Sequence, residues 1–189
     1  MWKQLRPAVV ILASMTVLTG VLYPLVVTGV AQGLLPHKAN GSLIDRNGRT
    51  VGSELIGQPF DDPRYFWGRL SATSPPYNGG ASSGSNYGPL NPDLDRVAKA
   101  RLDALHKADP NNRLPVPVDL VTSSGSGLDP DISVAAALYQ VPRVARARGV
   151  GEAKVRDLVT RCAENRQLGI LGEKRVNVLE LNLSLDGVQ

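Results

Sequence analysis

The chain opens with an apolar block. From Pro7 to Pro36 no residue carries a formal charge, and after Lys38 charges scatter through the rest of the 189 residues. About 30 residues in a helix rise about 45 Å, whereas a bilayer's hydrocarbon core is about 30 Å thick and needs roughly 20 residues. The block is read as a membrane-spanning helix. A cleaved signal peptide is the alternative, with Lys3 and Arg6 as its basic start and Ala31 behind small residues. A signal peptide's apolar core is only about 7–15 residues, which favours the anchor. Thr16 and Gly20, and Gly29 and Gly33, are spaced four apart and put small residues on shared faces, where another helix can pack closely. Pro24 removes a backbone donor and is expected to kink the helix.

Beyond the block the pattern breaks into short elements. Leu43–Asp45 and Thr50–Val51 flank Asn47-Gly48, a hairpin signature because Asn-Gly accepts positive φ. Residues 58–69 hold both phenylalanines and one of the two tryptophans, and are expected to pack irregularly on the core. Residues 71–89 are rich in Ser, Gly, Pro and Asn. That composition suits a linker, but Tyr77 and Tyr87 suit an ordered loop on a surface. Asn91-Pro92 predicts a capped helix with Leu94, Val97, Ala98, Leu102 and Leu105 on one face. Residues 115–121 are a candidate strand. Asp131 is expected to cap a helix through 133–139, with Pro142 starting a second that stops at Gly149. A third runs from Glu152 to Ala163, with Val155, Leu158, Val159 and Cys162 inward. Residues 176–185 carry leucine at every second position, which favours a strand and also fits a short helix. The fold class expected is α+β: one N-terminal transmembrane helix with a short cytoplasmic stub (residues 1–38), then a single mixed domain (residues 39–189), extracytoplasmic if Lys3 and Arg6 keep the N-terminus inside.

Charge narrows the partners. The net charge is +4 and the pI near 9.4. The first 38 residues hold Lys3, Arg6 and Lys38 without an acid, which leaves 18 basic against 17 acidic residues beyond them. The excess sits where lipid headgroups are, not on the folded domain as a nucleic-acid binder requires. Cys162 is the single cysteine, so no internal disulfide forms. With His37 and His106 as the two histidines, there is little material for a zinc site or an acid–base centre. No metal site and no catalytic residue are predicted. Two polar loops, 79–86 and 123–130, can each offer backbone N–H groups to an anion, or can be tight turns. Arg143, Arg146 and Arg148 can meet a phosphate, although a solvated helix face is the default.

An ordered series of strings runs along the chain. It comprises Arg6-Pro7-Ala8, Thr19-Gly20-x-x-Tyr23-Pro24, Phe66-Trp67-Gly68-Arg69 with Ser71-Ala72-Thr73, Ser83 to Pro92, Ser126 to Pro130, Tyr139 to Ala145, and Arg175 to Leu183. In these strings the chain resembles the C subunit of the Kdp potassium-transporting ATPase. Leu70, Asp131 and Val134 depart from that family's usual residues and bear on local turns. The resemblance implies a non-catalytic accessory subunit in the bacterial inner membrane. Its partners would be an ion-conducting and an ATP-hydrolysing subunit, and it would stabilise their assembly. It also implies a catalytic chaperone raising the hydrolysing subunit's affinity for ATP. If nucleotide binds, Ser124, Ser126 and Gln140 are the candidate contacts. ATP is cytoplasmic and the predicted domain is not, so assembly, or gating of the outer mouth of the ion pathway, is favoured on physical grounds. The competing reading is a membrane-anchored extracytoplasmic binding or sensor module that takes a small anion on its Gly/Ser loops.

Overall fold

A computed structural model describes residues 2–187, and the chain divides into two compact units, Met1–Ile44 and Asp45–Gln189. The first is helical: α1 (Trp2–Val17), a π-helical turn (Leu18–Leu22), α2 (Tyr23–Leu34) and the short α3 (Pro36–Ala39). Lys3–Leu34 forms one 32-residue stretch long and apolar enough to cross a membrane, with no side chain buried within the protein. Pro24 explains the π turn. Its ring cannot donate to the carbonyl four residues back, and the helix widens just upstream so that the Tyr23 N–H reaches the Leu18 carbonyl. Thr19 adds a side-chain bond to the Met15 carbonyl at 2.7 Å.

The fold class is α+β as expected. The hairpin of β1 (Leu43–Arg46) and β2 (Arg49–Ser53) turns at Asn47 and Gly48, with φ of 53° and 75°. The second unit continues with a long segment lacking regular structure, then α4 (Pro92–Ala108), β3 (Asp131–Ser133), α5 (Val134–Arg148), α6 (Glu152–Cys162), β4 (Ala163–Glu164), β5 (Arg175–Asn177) and α7 (Val178–Leu185). β5 is the central strand of an antiparallel sheet ordered β3-β5-β4, with Val176 opposite both Ile132 and Ala163. The core lies where this small sheet meets α5, α6 and α7, and contains Ile132, Val144, Val155, Val159, Val176, Leu181 and Leu185.

Local chemistry sets most boundaries. Asn91 caps α4 by accepting the Asp93 N–H, and Pro92 stands in the first turn. α5 ends at Gly149 with φ 68°, where the Gly149 and Val150 N–H groups close on carbonyls of the last turn.

Two expectations are corrected and one open alternative is decided. Residues 115–121 are not a strand: Pro115 and Pro117 lack donors, and Val118–Leu120 turns as a 3-10 helix that buries Leu120. Its turn lets the Asp119 carboxylate accept the Ser133 N–H at 2.8 Å. Pro142 does not start a new helix but lies inside α5, which Ser133, not Asp131, caps through its bond from Ala136 N–H. Burial of Val141, Arg143, Val144 and Ala145 around the proline overrides its local penalty. Residues 176–185 divide: the strand ends at Asn177, which caps α7 by accepting the Glu180 N–H. Leu181 and Leu185, four apart, then fall on one buried face.

Candidate functional site

In the helical unit, Thr16, Gly20, Pro24, Gly29 and Gly33 are all exposed. A Cβ placed on Gly20, Gly29 or Gly33 would meet no atom within 4 Å. These glycines therefore solve no packing problem inside the chain. What they provide is a surface without side chains, open to another helix.

In the second unit the most heavily braced feature is the segment Asp62–Arg69. It has no strand partner, yet Phe66 and Trp67 are core residues, 0% and 5% exposed. Two side-chain amides replace the missing strand. Asn182 on α7 accepts the Phe66 N–H at 2.8 Å and donates to the Phe66 carbonyl at 3.0 Å. Gln140 on α5 accepts the Trp67 N–H at 2.8 Å and donates to the Trp67 carbonyl at 3.1 Å. The Trp67 indole N–H donates to the Asp62 carbonyl. Two guanidinium groups lie over its ring, Arg143 at 4.4 Å and Arg101 at 5.0 Å from the centroid. Arg143 donates to the Pro63 and Tyr65 carbonyls and to Gln140. Arg101 donates to the Gly68 and Leu120 carbonyls. Burial pushes the Arg143 guanidinium down to about 10, and lowers Arg101 as well.

Of the arginines of α5, Arg143 and Arg148 are therefore not solvated, whereas Arg146 is exposed. Arg143 is 3% exposed. Arg146 pairs at 2.8 Å with Asp109. Arg148 lies over the Tyr65 ring and pairs with Asp186. At the near end of the segment Arg64 holds Asp62 through its backbone N–H and its guanidinium. Those bonds keep the Asp62 carboxyl at about 2 instead of 3.8. The native state favours the charged form, so this contribution to stability is complete above pH 3.8 and fades as pH falls towards 2. A carboxyl-carbon NMR titration is expected to give the low midpoint. Arg64→Gln, which removes the guanidinium and keeps the backbone N–H, should return it part of the way to 3.8.

The polar loops are ordered and pack on each other. The Ser83 N–H and the Ser82 hydroxyl donate to the Ser126 carbonyl. A Cβ on Gly127 (φ 70°) would lie 2.6 Å from the Ser83 carbonyl, and one on Gly84 would lie 2.8 Å from the Gly125 carbonyl. Glycine is what permits that approach. Tyr77 anchors the first loop by donating to the Arg69 carbonyl at 2.6 Å. Arg69 anchors the second through Asp129 at 2.9 Å and the Ser123 carbonyl at 3.2 Å. The N–H groups of Ser83, Ser124 and Leu128 are thus bonded within the protein and do not point to a ligand.

The three candidate nucleotide contacts do not converge on one surface. Ser126 is exposed. Ser124 is 3% exposed, and its hydroxyl has no hydrogen-bond partner. Gln140 is 1% exposed, and its oxygen and nitrogen each make two hydrogen bonds within the protein, which exhausts an amide's usual capacity.

Beside Arg69 lies a groove of about 540 Å³ whose lining includes Asp119, Asp129, Asp131, Glu173, Lys174 and Arg175. Burial raises the Asp131 carboxyl there, outweighing the pull of Arg175 at 3.0 Å. Among the described residues no group of His, Cys, Asp and Glu is arranged to hold a metal ion. His106 is exposed in the last turn of α4, and Cys162 is half-buried at the end of α6. What the second unit presents is a rigid, heavily cross-braced body with no assembled acid–base pair at these residues.

The family model for the c chain of the K+-transporting ATPase matches residues 5–187. This chain belongs to that family. Among curated relatives, the potassium-transporting ATPase KdpC subunit of Sorangium cellulosum is 63% identical over 190 residues, covering 100% of both chains. That of Methylococcus capsulatus is 60% identical with the same coverage. That of Herpetosiphon aurantiacus is 60% identical over 97% of this chain and 96% of its own. The KdpC match spans both units, so the apolar helix and the braced body are parts of one family unit. The Phe-Trp-Gly-Arg string is central to the KdpC-like body. Its partners Arg101, Asn182 and Arg143 were not legible beforehand as contacts. Only the unusual concentration of aromatics at residues 60–67 pointed there.

Proposed function

We propose that this chain is a non-catalytic subunit of an ATP-driven potassium pump in the inner membrane, holding the ion-conducting and ATP-hydrolysing subunits together. Its N-terminus lies in the cytoplasm and its soluble unit outside. The observation that carries the reading is the long apolar helix, at whose glycines an added Cβ meets no atom within 4 Å among the described residues. Lys3 and Arg6, at its start, favour the inside orientation. Extraction of the whole system in mild detergent is expected to recover the pump subunits with this chain. Recovery as a lone monomer would sink the proposal. Protease added to intact spheroplasts should digest residues 39–189, and protection of that segment would reverse the orientation.

A second reading is the catalytic chaperone that raises ATP affinity in the hydrolysing subunit. One feature favours it: the buried, unpartnered hydroxyl of Ser124, a group that gains from a new acceptor. The reading also requires Gln140 to release its hold on Trp67. Hydrogen exchange of the complex with and without ATP tests it. Added protection at Ser124 and Ser126 supports nucleotide contact, and unchanged exchange removes it.

A further inference from the structure

Residues 165–174 link β4 to β5 and project an apolar tip. Gln167 and Leu171 exchange two backbone bonds of 2.9 Å, closing a tight turn. Arg166 and Glu173 clamp its feet at 2.6 Å. Between them Leu168, Ile170 and Leu171 are 88%, 75% and 54% exposed. No other four-residue stretch of the second unit shows three exposed aliphatic side chains among the described residues. Leu168 also holds φ at 54°, beside Gly169 at 77°. That left-handed geometry suits Asn-Gly and strains a leucine. The position is thus unfavourable twice, in backbone conformation and in apolar surface left in water. Neither helps this chain fold. Both are explained if the three side chains are covered elsewhere.

We infer that the Leu168–Leu171 tip is the docking knob by which this subunit engages an apolar pocket on another protein chain of the pump. The inference rests on the assembly role proposed above. Charge decides between occupants. A lipid surface would draw on excess cations, but Arg166 is paired with Glu173, and Arg175 with Glu164 and Asp131. Lys174 alone, of the charged residues from 164 to 175, has no ion pair among the described residues. The stem is therefore close to neutral, and it lacks the aromatic residues that favour a membrane interface. A second copy offers a poor seat. Three grooves of this unit, about 540, 230 and 560 Å³, have charged residues in their linings: Asp119 and Arg175, Asp61 and Arg101, Arg64 and Asp186. A nearly neutral stem carrying three exposed aliphatic groups fits an uncharged, concave protein surface.

The test uses the full chain expressed with the whole pump. A benzophenone amino acid placed at Ile170 is expected to give an adduct with one other pump subunit, while the same probe at exposed Ala153 on α6 gives none. The double variant Leu168→Asn, Ile170→Asp should recover at least fivefold less pump in mild detergent. Its thermal midpoint should stay unchanged or rise, because asparagine relieves the left-handed strain. An Ile170 adduct with lipid or with a second copy overturns the inference, as does recovery of the double variant within twofold of the natural chain. Those results leave the assembly role standing as long as the natural chain still recovers the pump. A natural chain recovered alone overturns both.

Discussion

In a urea titration of the full chain in detergent, followed by far-ultraviolet circular dichroism, Trp67→Ala is expected to lower the stability of the second unit by about 4 kcal/mol. The size follows from what the ring does. It is 5% exposed in a core that includes Phe66, Tyr139 and Val144, and a tryptophan removed from such a site leaves a cavity the surroundings fill only partly. A further loss adds to it. Arg143 and Arg101 lose the aromatic ring beside their guanidinium groups, and Arg143, 3% exposed in the natural chain, loses part of what offsets its burial. Domains of this size are stable by only about 5–15 kcal/mol, so the variant should lie near its folding threshold at 37 °C. Trp67→Phe keeps an aromatic face but loses the indole bond to the Asp62 carbonyl. Its expected loss is about 1–2 kcal/mol. A loss below about 1 kcal/mol for Trp67→Ala would show that the tryptophan platform does not hold the segment.

The second large effect should appear in the complex and not in the isolated chain. Gly29→Leu and Gly33→Leu, alone or together, are expected to leave the chain's own helix content unchanged or slightly higher. Glycine inside a helix costs about 1 kcal/mol relative to alanine, and a side chain at either position meets nothing within 4 Å. Any loss must therefore arise against another molecule. If a neighbouring helix packs on this face, the added bulk forces the backbones apart, and recovery of the pump in mild detergent should fall at least tenfold, about 1.4 kcal/mol. Val10→Leu, on an equally exposed stretch of the helix, is the control and should change nothing. Equal recovery of the glycine variants and the control would show that the small-residue face is not a contact.

Much of the architecture was readable along the chain because it rests on local chemistry. The charge-free block, the Asn-Gly hairpin, the Asn91-Pro92 helix start and the Gly149 stop each depend on residues within a few positions of one another, and each stands where expected. The errors share a cause. Pro142 breaks a helix on local grounds, but in this fold its neighbours are buried, and that burial carries α5 through it. Alternating leucines left strand and short helix open, and Asn177 decides for a helix by capping it. Arginines at 143 and 148 suggest a wet face until Tyr65, Trp67 and Asp186 come to meet them; Arg146 does stay exposed.

Gln140 shows the limit most clearly. Beside Ser124 and Ser126 it was a candidate contact for a nucleotide. Trp67, 73 positions away, takes up its amide. By itself the sequence determined that the chain has a membrane-competent helix, a small α+β body, no excess charge on that body, and the strings that mark its family. Only the tertiary structure decided which polar groups are committed inside and which apolar groups are left outside. Hydrogen bonding and burial are settled by partners far apart in the chain, and local patterns carry no record of those partners.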